Sequence, residues 1–254
     1  MKKKNLSLYL LCGGSISFIA GMAGLLFGNT VDKGNEFFQK YKDFFLQTNN
    51  GIPIRTELKG SPIDVVLPDV SENTKQHIVD GIKKLDSISE NINYNIYCEN
   101  DYTNNNQNRI DIKIVDELEK TSAGQTTLNF NQGNGKIIYP ITINIEKVYD
   151  NVYFDEAQKY NVLTTVVEHE LGHTLGLKDI YDINDKKNTI MYYTLQPDNA
   201  RDYTVRDKEI IQYCYDGKLM QENENALLTA NITLPKYNTI SYVENKEKEE
   251  ALEF

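Results

Sequence analysis

The sequence predicts an α+β domain: a twisted mixed sheet with one central helix. Three observations carry that prediction. Apolar residues alternate at Ile63, Val65 and Leu67, at Ile110, Ile112 and Ile114, and at Ile141, Ile143 and Ile145, the period-two pattern of strands. Two longer stretches, 71–89 and 155–175, repeat apolar residues every three to four positions, as helices with one buried face do. A chain of 254 residues has room for one full core with short appendages.

Met1 and three lysines precede an uncharged apolar stretch from Leu6 to Phe27, long enough to cross a bilayer as a helix. Residues 1–29 are therefore expected to act as a signal peptide or an N-terminal membrane anchor. Lys2 to Lys4 would stay on the cytoplasmic side and the remainder would be extracellular, surface-anchored or secreted. Cys12 follows two leucines without the small residue expected before a lipidated cysteine, and reads as an apolar filler. Residues 30–59 read as a linker or juxtamembrane helix, with Phe37, Phe38, Tyr41, Phe44 and Phe45 at helical spacing. Pro53 and Pro62 then punctuate the chain, and the globular pattern is expected from about residue 60.

Within 60–217 the first strand, 63–67, leads to a helix over 71–89 with Ile78, Ile82, Leu85 and Ile88 on one face. His77 lies in that helix without a metal-binding neighbour and reads as an ordinary surface or core histidine. An Asn-rich loop, 99–108, precedes the strand around Ile112. A third strand covers 125–130, and a turn at 131–135 leads into a half-buried strand over 137–147. Asp155 with Gln158 forms a capping-box signal for the long helix, and Thr204 with Asp207 forms another for a closing helix. Residues 218–254 are polar and end in a charged run, so they read as a loosely ordered tail. Cys98 and Cys214 could pair in an oxidising compartment if the fold brings their Cα atoms within about 7 Å.

The long helix carries the chemistry. With three histidines in the whole chain, two fall in His169-Glu170-Leu171-Gly172-His173. That spacing sets both imidazoles on one helix face, a turn apart, so both can reach one ion. A catalytic zinc site takes three protein ligands and a water. Glu170, beside the first ligand, is placed to take a proton from that water as it attacks a carbonyl, and to pass it to the leaving amine.

The longer string HELGHTLGLKD (169–179) resembles the extended metzincin motif HExxHxxGxxH/D, with aspartate in the final place. The resemblance implies Asp179 as third zinc ligand, reached after a turn at Gly176. It implies Met191, in Thr189-Ile190-Met191-Tyr192-Tyr193, as the methionine packed beneath the ligands. Tyr193 matches a position where some members carry a tyrosine that stabilises the oxyanion; lining a specificity pocket or packing in the core are the other readings. The likeness spans about residues 60–217, with specific residues between 169 and 193. It implies a metzincin-like zincin domain with a Met-turn and C-terminal helix, bacterial matrixin-like or snapalysin-like. It also implies that the strand 137–147 forms the edge that pairs with extended protein or peptide substrate.

The expected function is thus a zinc-dependent endopeptidase holding one catalytic Zn2+. Structural Ca2+ has no EF-hand-like loop to support it. A net charge of −10 provides no basic stripe for nucleic acid. The membrane is a partner through residues 6–27 if that segment is retained, and the oligomeric state is left open. A gluzincin would instead take Glu209 as third ligand, without a supporting motif. An exported binding or signalling module that keeps zinc without cleaving is the alternative function. The intact Glu170 and the three identifiable ligands weigh against it.

Overall fold

A computed structural model describes residues 40–49, 51–56, 62–104, 106–118, 122–150, 152–185, 187–194, 201–215 and 238–241. The apolar segment 6–27 lies outside these. Among the described residues no helix is long and apolar enough to cross a membrane.

Strands β1 (Ile63–Leu67), β2 (Tyr94–Cys98), β3 (Arg109–Val115), β4 (Gly124–Phe130), β5 (Ile137–Glu146) and β6 (Asn238–Ser241) form one mixed sheet, ordered β2-β1-β3-β5-β4-β6. The first four in that order run parallel, whereas β4 is antiparallel to β5 and to β6. Every residue of β1 is buried, as expected of a strand flanked by parallel neighbours. Its one carboxylate, Asp64, accepts from the Tyr102 hydroxyl at 3.2 Å and the Asn95 amide at 3.3 Å.

Helix α1 (Glu72–Asp86) starts at Ser71, whose hydroxyl accepts from the Thr74 amide at 3.2 Å, satisfying one orphan donor of the first turn. Helix α2 (Glu156–Thr174) opens with the expected capping box, Asp155 and Gln158 exchanging bonds of 3.0 and 2.8 Å. From Val162 to Thr174 every residue of α2 is buried, so the helix lies enclosed between α1 and the sheet. The two helices approach closely at Gly81, where an added Cβ would meet Val167 at 2.8 Å. Helix α3 (Val205–Tyr215) closes the fold with Ile210 and Ile211 buried.

Several expectations change. Strand β5 lies inside the sheet, between β3 and β4, so 137–147 is not the edge; among the described strands β4 is the one next to the outer β6. The cause is that the hairpin 124–146 folds its first strand outward, which alternation alone does not reveal. Strand β2 is an addition to the expected strands: Tyr94, Ile96 and Cys98 alternate with Asn95 and Tyr97, and the strand pairs in parallel with β1. The packed body also begins before residue 60. Tyr41, Phe44, Phe45 and Ile54 join the core, and Phe45 bridges to Leu177. Of the helix expected within 30–59, the described part holds two α-helical residues, Lys40 and Tyr41, then a 3-10 turn, Lys42–Phe44, and extended backbone after it. Part of the C-terminal segment is strand β6 rather than a loose tail. Cys98 is a free thiol, so the pairing with Cys214 is not made; the Cys214 side chain lies outside the described residues.

Candidate metal centre

The site is assembled around the end of α2. Helix continuation stops at Gly176, whose φ of +92° suits a residue without Cβ. The Leu177 amide donates to the Gly172 carbonyl at 3.2 Å and the Gly176 amide to the His173 carbonyl at 2.9 Å, the paired bonds of a Schellman cap. A side chain at 176 would collide with the Ile54 carbonyl, so the segment before β1 presses on the turn. The chain then reverses and delivers Asp179 to the same helix face as the histidines.

The sequence-predicted residues converge. Asp179 Oδ1 stands 2.9 Å from His169 Nε2 and 3.6 Å from His173 Nε2. Two ligand atoms each roughly 2.1 Å from a tetrahedral zinc are about 3.4 Å apart, so this spacing fits such an ion. Both imidazoles are fixed from behind: His169 Nδ1 lies 3.0 Å from the Ile190 carbonyl and His173 Nδ1 lies 2.8 Å from the Leu177 carbonyl. A carbonyl accepts only, so each neutral ring carries its proton on Nδ1 and presents the Nε2 lone pair, the tautomer a metal requires. His169, Glu170 and His173 also bring one ligand-type atom each within 4.8 Å of one another. All four residues are buried. Two lone pairs and a carboxylate aimed at a common point form a donor set suited to zinc.

Glu170 is held against β4. The Thr126 hydroxyl donates to Glu170 Oε2 at 2.6 Å, and a Cβ on Gly124 would overlap the Glu170 carboxylate. Beneath the helix, Met191 is fully buried with its sulfur against Gly172, where even a methyl group would not fit. The Ile180 amide donates to the Met191 carbonyl at 2.8 Å, tying the chain after Asp179 to the turn that holds the methionine.

Tyr193 lines the cleft together with His169, Glu170, Gly124 and Arg201, and its ring lies 5.0 Å from those of Tyr181 and Tyr192. Tyr192 is buried, and its carbonyl accepts from Arg201 at 2.6 Å. Glu209 is elsewhere engaged: its carboxylate accepts from the Tyr41 hydroxyl at 2.8 Å and faces Lys40 at 3.8 Å. His77 packs edge-on against Tyr160 and, among the described residues, belongs to no cluster of metal-ligating side chains.

Supporting residues had weaker signals in the sequence. Asp207, legible as a cap, also accepts from the Thr189 hydroxyl at 2.6 Å and the Ile190 amide at 2.9 Å. It thereby steadies the carbonyl that receives His169. Burial pushes its carboxyl above the ordinary value, while hydrogen bonds from Thr189, Thr204 and Ile190 pull back. Glu168, enclosed behind the site, is pushed up to about 8 by burial, with Lys84 at 2.7 Å working in the opposite direction. The Tyr203 hydroxyl donates to the Glu168 carbonyl at 2.7 Å. Thr126 and Gly124 left no mark in the sequence beyond a strand pattern.

No protein-family model matches the sequence, and no curated protein matches it. Among solved structures, two of myroilysin are similar: one at 15% identity and a TM-score of 0.39 over 61% of this chain and 93% of the other, the second at 13% and 0.37 over 68% and 98%. High choriolytic enzyme 1, a hatching-enzyme zinc protease from the medaka Oryzias latipes, is similar at 12% identity and a TM-score of 0.34, over 69% of this chain and 96% of the other.

Proposed function

We propose that the protein is a zinc-dependent endopeptidase of metzincin type, with His169, His173 and Asp179 as metal ligands and Glu170 as general base. The observation that carries this reading is the tautomer-fixed pair of Nε2 atoms facing Asp179 Oδ1 beside a buried Glu170. Zinc bound there would supply the positive charge that acidifies a water and polarises the scissile carbonyl. Glu170 takes the proton of the attacking water and returns it to the leaving amine. Thr126 and Gly124 keep its carboxylate in the cleft, and Met191 supports the helix from below. Tyr193, on the cleft wall, is assigned to the oxyanion.

The substrate is an extended protein or peptide segment, since a sheet strand borders the cleft and can pair with backbone. Aspartate as third ligand favours a bacterial matrixin-like or snapalysin-like enzyme. The apolar stretch 6–27 favours an exported protein, surface-anchored or secreted. Cleavage of a diverse peptide library by the full chain, with Glu170→Ala and chelator controls, tests the reading. Activity abolished by both controls is expected. Zinc binding without any cleavage would favour a binding module instead.

A further inference from the structure

Strand β4 walls the cleft on one side and carries β6 on the other. Its inner edge is paired to β5, and its outer edge to Asn238–Ser241, antiparallel, from Phe130↔Asn238 to Thr127↔Ser241. Because the pairing is antiparallel, each step along β6 moves one residue nearer the catalytic end of β4. Ser241 lies opposite Thr127, the neighbour of the Thr126 that holds Glu170.

An extended substrate that pairs with this sheet beside Glu170 must use the outer edge of β4, since β2, the other outer strand among those described, stands at the far end of the order. A strand edge offers one row of N–H and C=O groups, and two partners cannot share it. We propose that the C-terminal segment around Asn238–Ser241 is a built-in competitor: it occupies the substrate-accepting edge of β4 and must withdraw for an extended peptide to bind. This rests on the peptidase reading above.

The physical terms suit a reversible strap. Four residues make a short ladder, and a connection of 22 residues separates Tyr215 from Asn238. Joined to the same chain over that length, the segment acts at a local concentration on the order of millimolar. The segment then raises the apparent KM and leaves the turnover of bound substrate unchanged.

The test uses the full chain carrying Thr239→Pro and Ile240→Pro together. Successive amides of a strand face opposite sides, so one of the two points at β4 in either phase, and proline removes it. The expected result is a KM for an extended peptide lower by on the order of fivefold, the scale of one or two net backbone hydrogen bonds, with kcat unchanged. Amide exchange within 127–130 should accelerate, and a synthetic peptide of residues 235–244 should inhibit the variant competitively. Unchanged exchange overturns the strap. Faster exchange with unchanged KM overturns the competition, because the segment would then lie off the substrate path. If neither protein cleaves any peptide, the peptidase reading fails and the competition with it, whereas the exchange data still report whether β6 docks.

Discussion

The Thr126 hydroxyl reaches Glu170 Oε2 at 2.6 Å across the boundary between β4 and α2. A sheet residue thus orients the helix carboxylate proposed as the general base, while Gly124 two positions earlier leaves the space that carboxylate needs. Thr126→Val should lower kcat about tenfold, the cost of one hydrogen bond to a charged group, with little change in KM. Thr126→Ser should restore most of it, and zinc content should be unaltered in both. A loss of zinc in Thr126→Val would show that the residue supports the metal rather than the base.

Gly176→Ala places a Cβ at φ +92° and against the Ile54 carbonyl. The left-handed conformation alone costs about 1–2 kcal/mol, and the collision adds to it. Thermal unfolding should show a clearly lowered Tm, and zinc affinity should fall with it because the turn delivers Asp179. A variant with unchanged Tm would contradict the assigned role of the turn.

Asp207 joins the start of α3 to the turn holding Met191 through Thr189, Ile190 and Thr204. Asp207→Ala leaves buried donors without an acceptor and should destabilise the fold by about 3 kcal/mol. Denaturant titration measures this directly. A change below about 1 kcal/mol would mean that water replaces the carboxylate.

Glu168 is raised to about 8 by burial. A carboxyl whose folded value exceeds its unfolded one adds stability that is complete below the unfolded value of 4.5 and disappears as pH rises through about 8. Glu168→Gln removes that dependence. Between pH 5 and 8 the Tm of the wild type should therefore fall relative to that of Glu168→Gln, measured in parallel at equal metal loading. Parallel curves would contradict the assignment.

Much of the architecture could be read along the chain. The capping box at Asp155 and the stripe through Leu163, Val166 and Leu171 located the central helix, because local hydrogen bonds and one-sided burial write themselves into spacing. The order of strands could not be read, since β5 and β4 carry the same alternation and their relative positions depend on which strand β3 pairs with. Strand β2 carries an alternation as well, Tyr94, Ile96 and Cys98, but so short a run beside an Asn-rich loop also suits irregular chain, and the pairing with β1 decides between them. At the site, His169, Glu170 and His173 followed from helix periodicity. Asp179 needed the family spacing, and its approach to both imidazoles comes from a turn set by contact with Ile54, far away in sequence. The contact of Thr126 with Glu170 and the hold of Asp207 on Thr189 and Ile190 were invisible, because a threonine in a strand and an aspartate in a cap have ordinary local explanations.

Zinc stoichiometry measures the identity of the third ligand directly. Purified Asp179→Ala and Glu209→Ala should be compared with the wild type after dialysis against limiting chelator. The wild type and Glu209→Ala should each retain close to one zinc per chain, and Asp179→Ala should lose the metal. Full retention by Asp179→Ala, with loss in Glu209→Ala, would contradict Asp179 as that ligand.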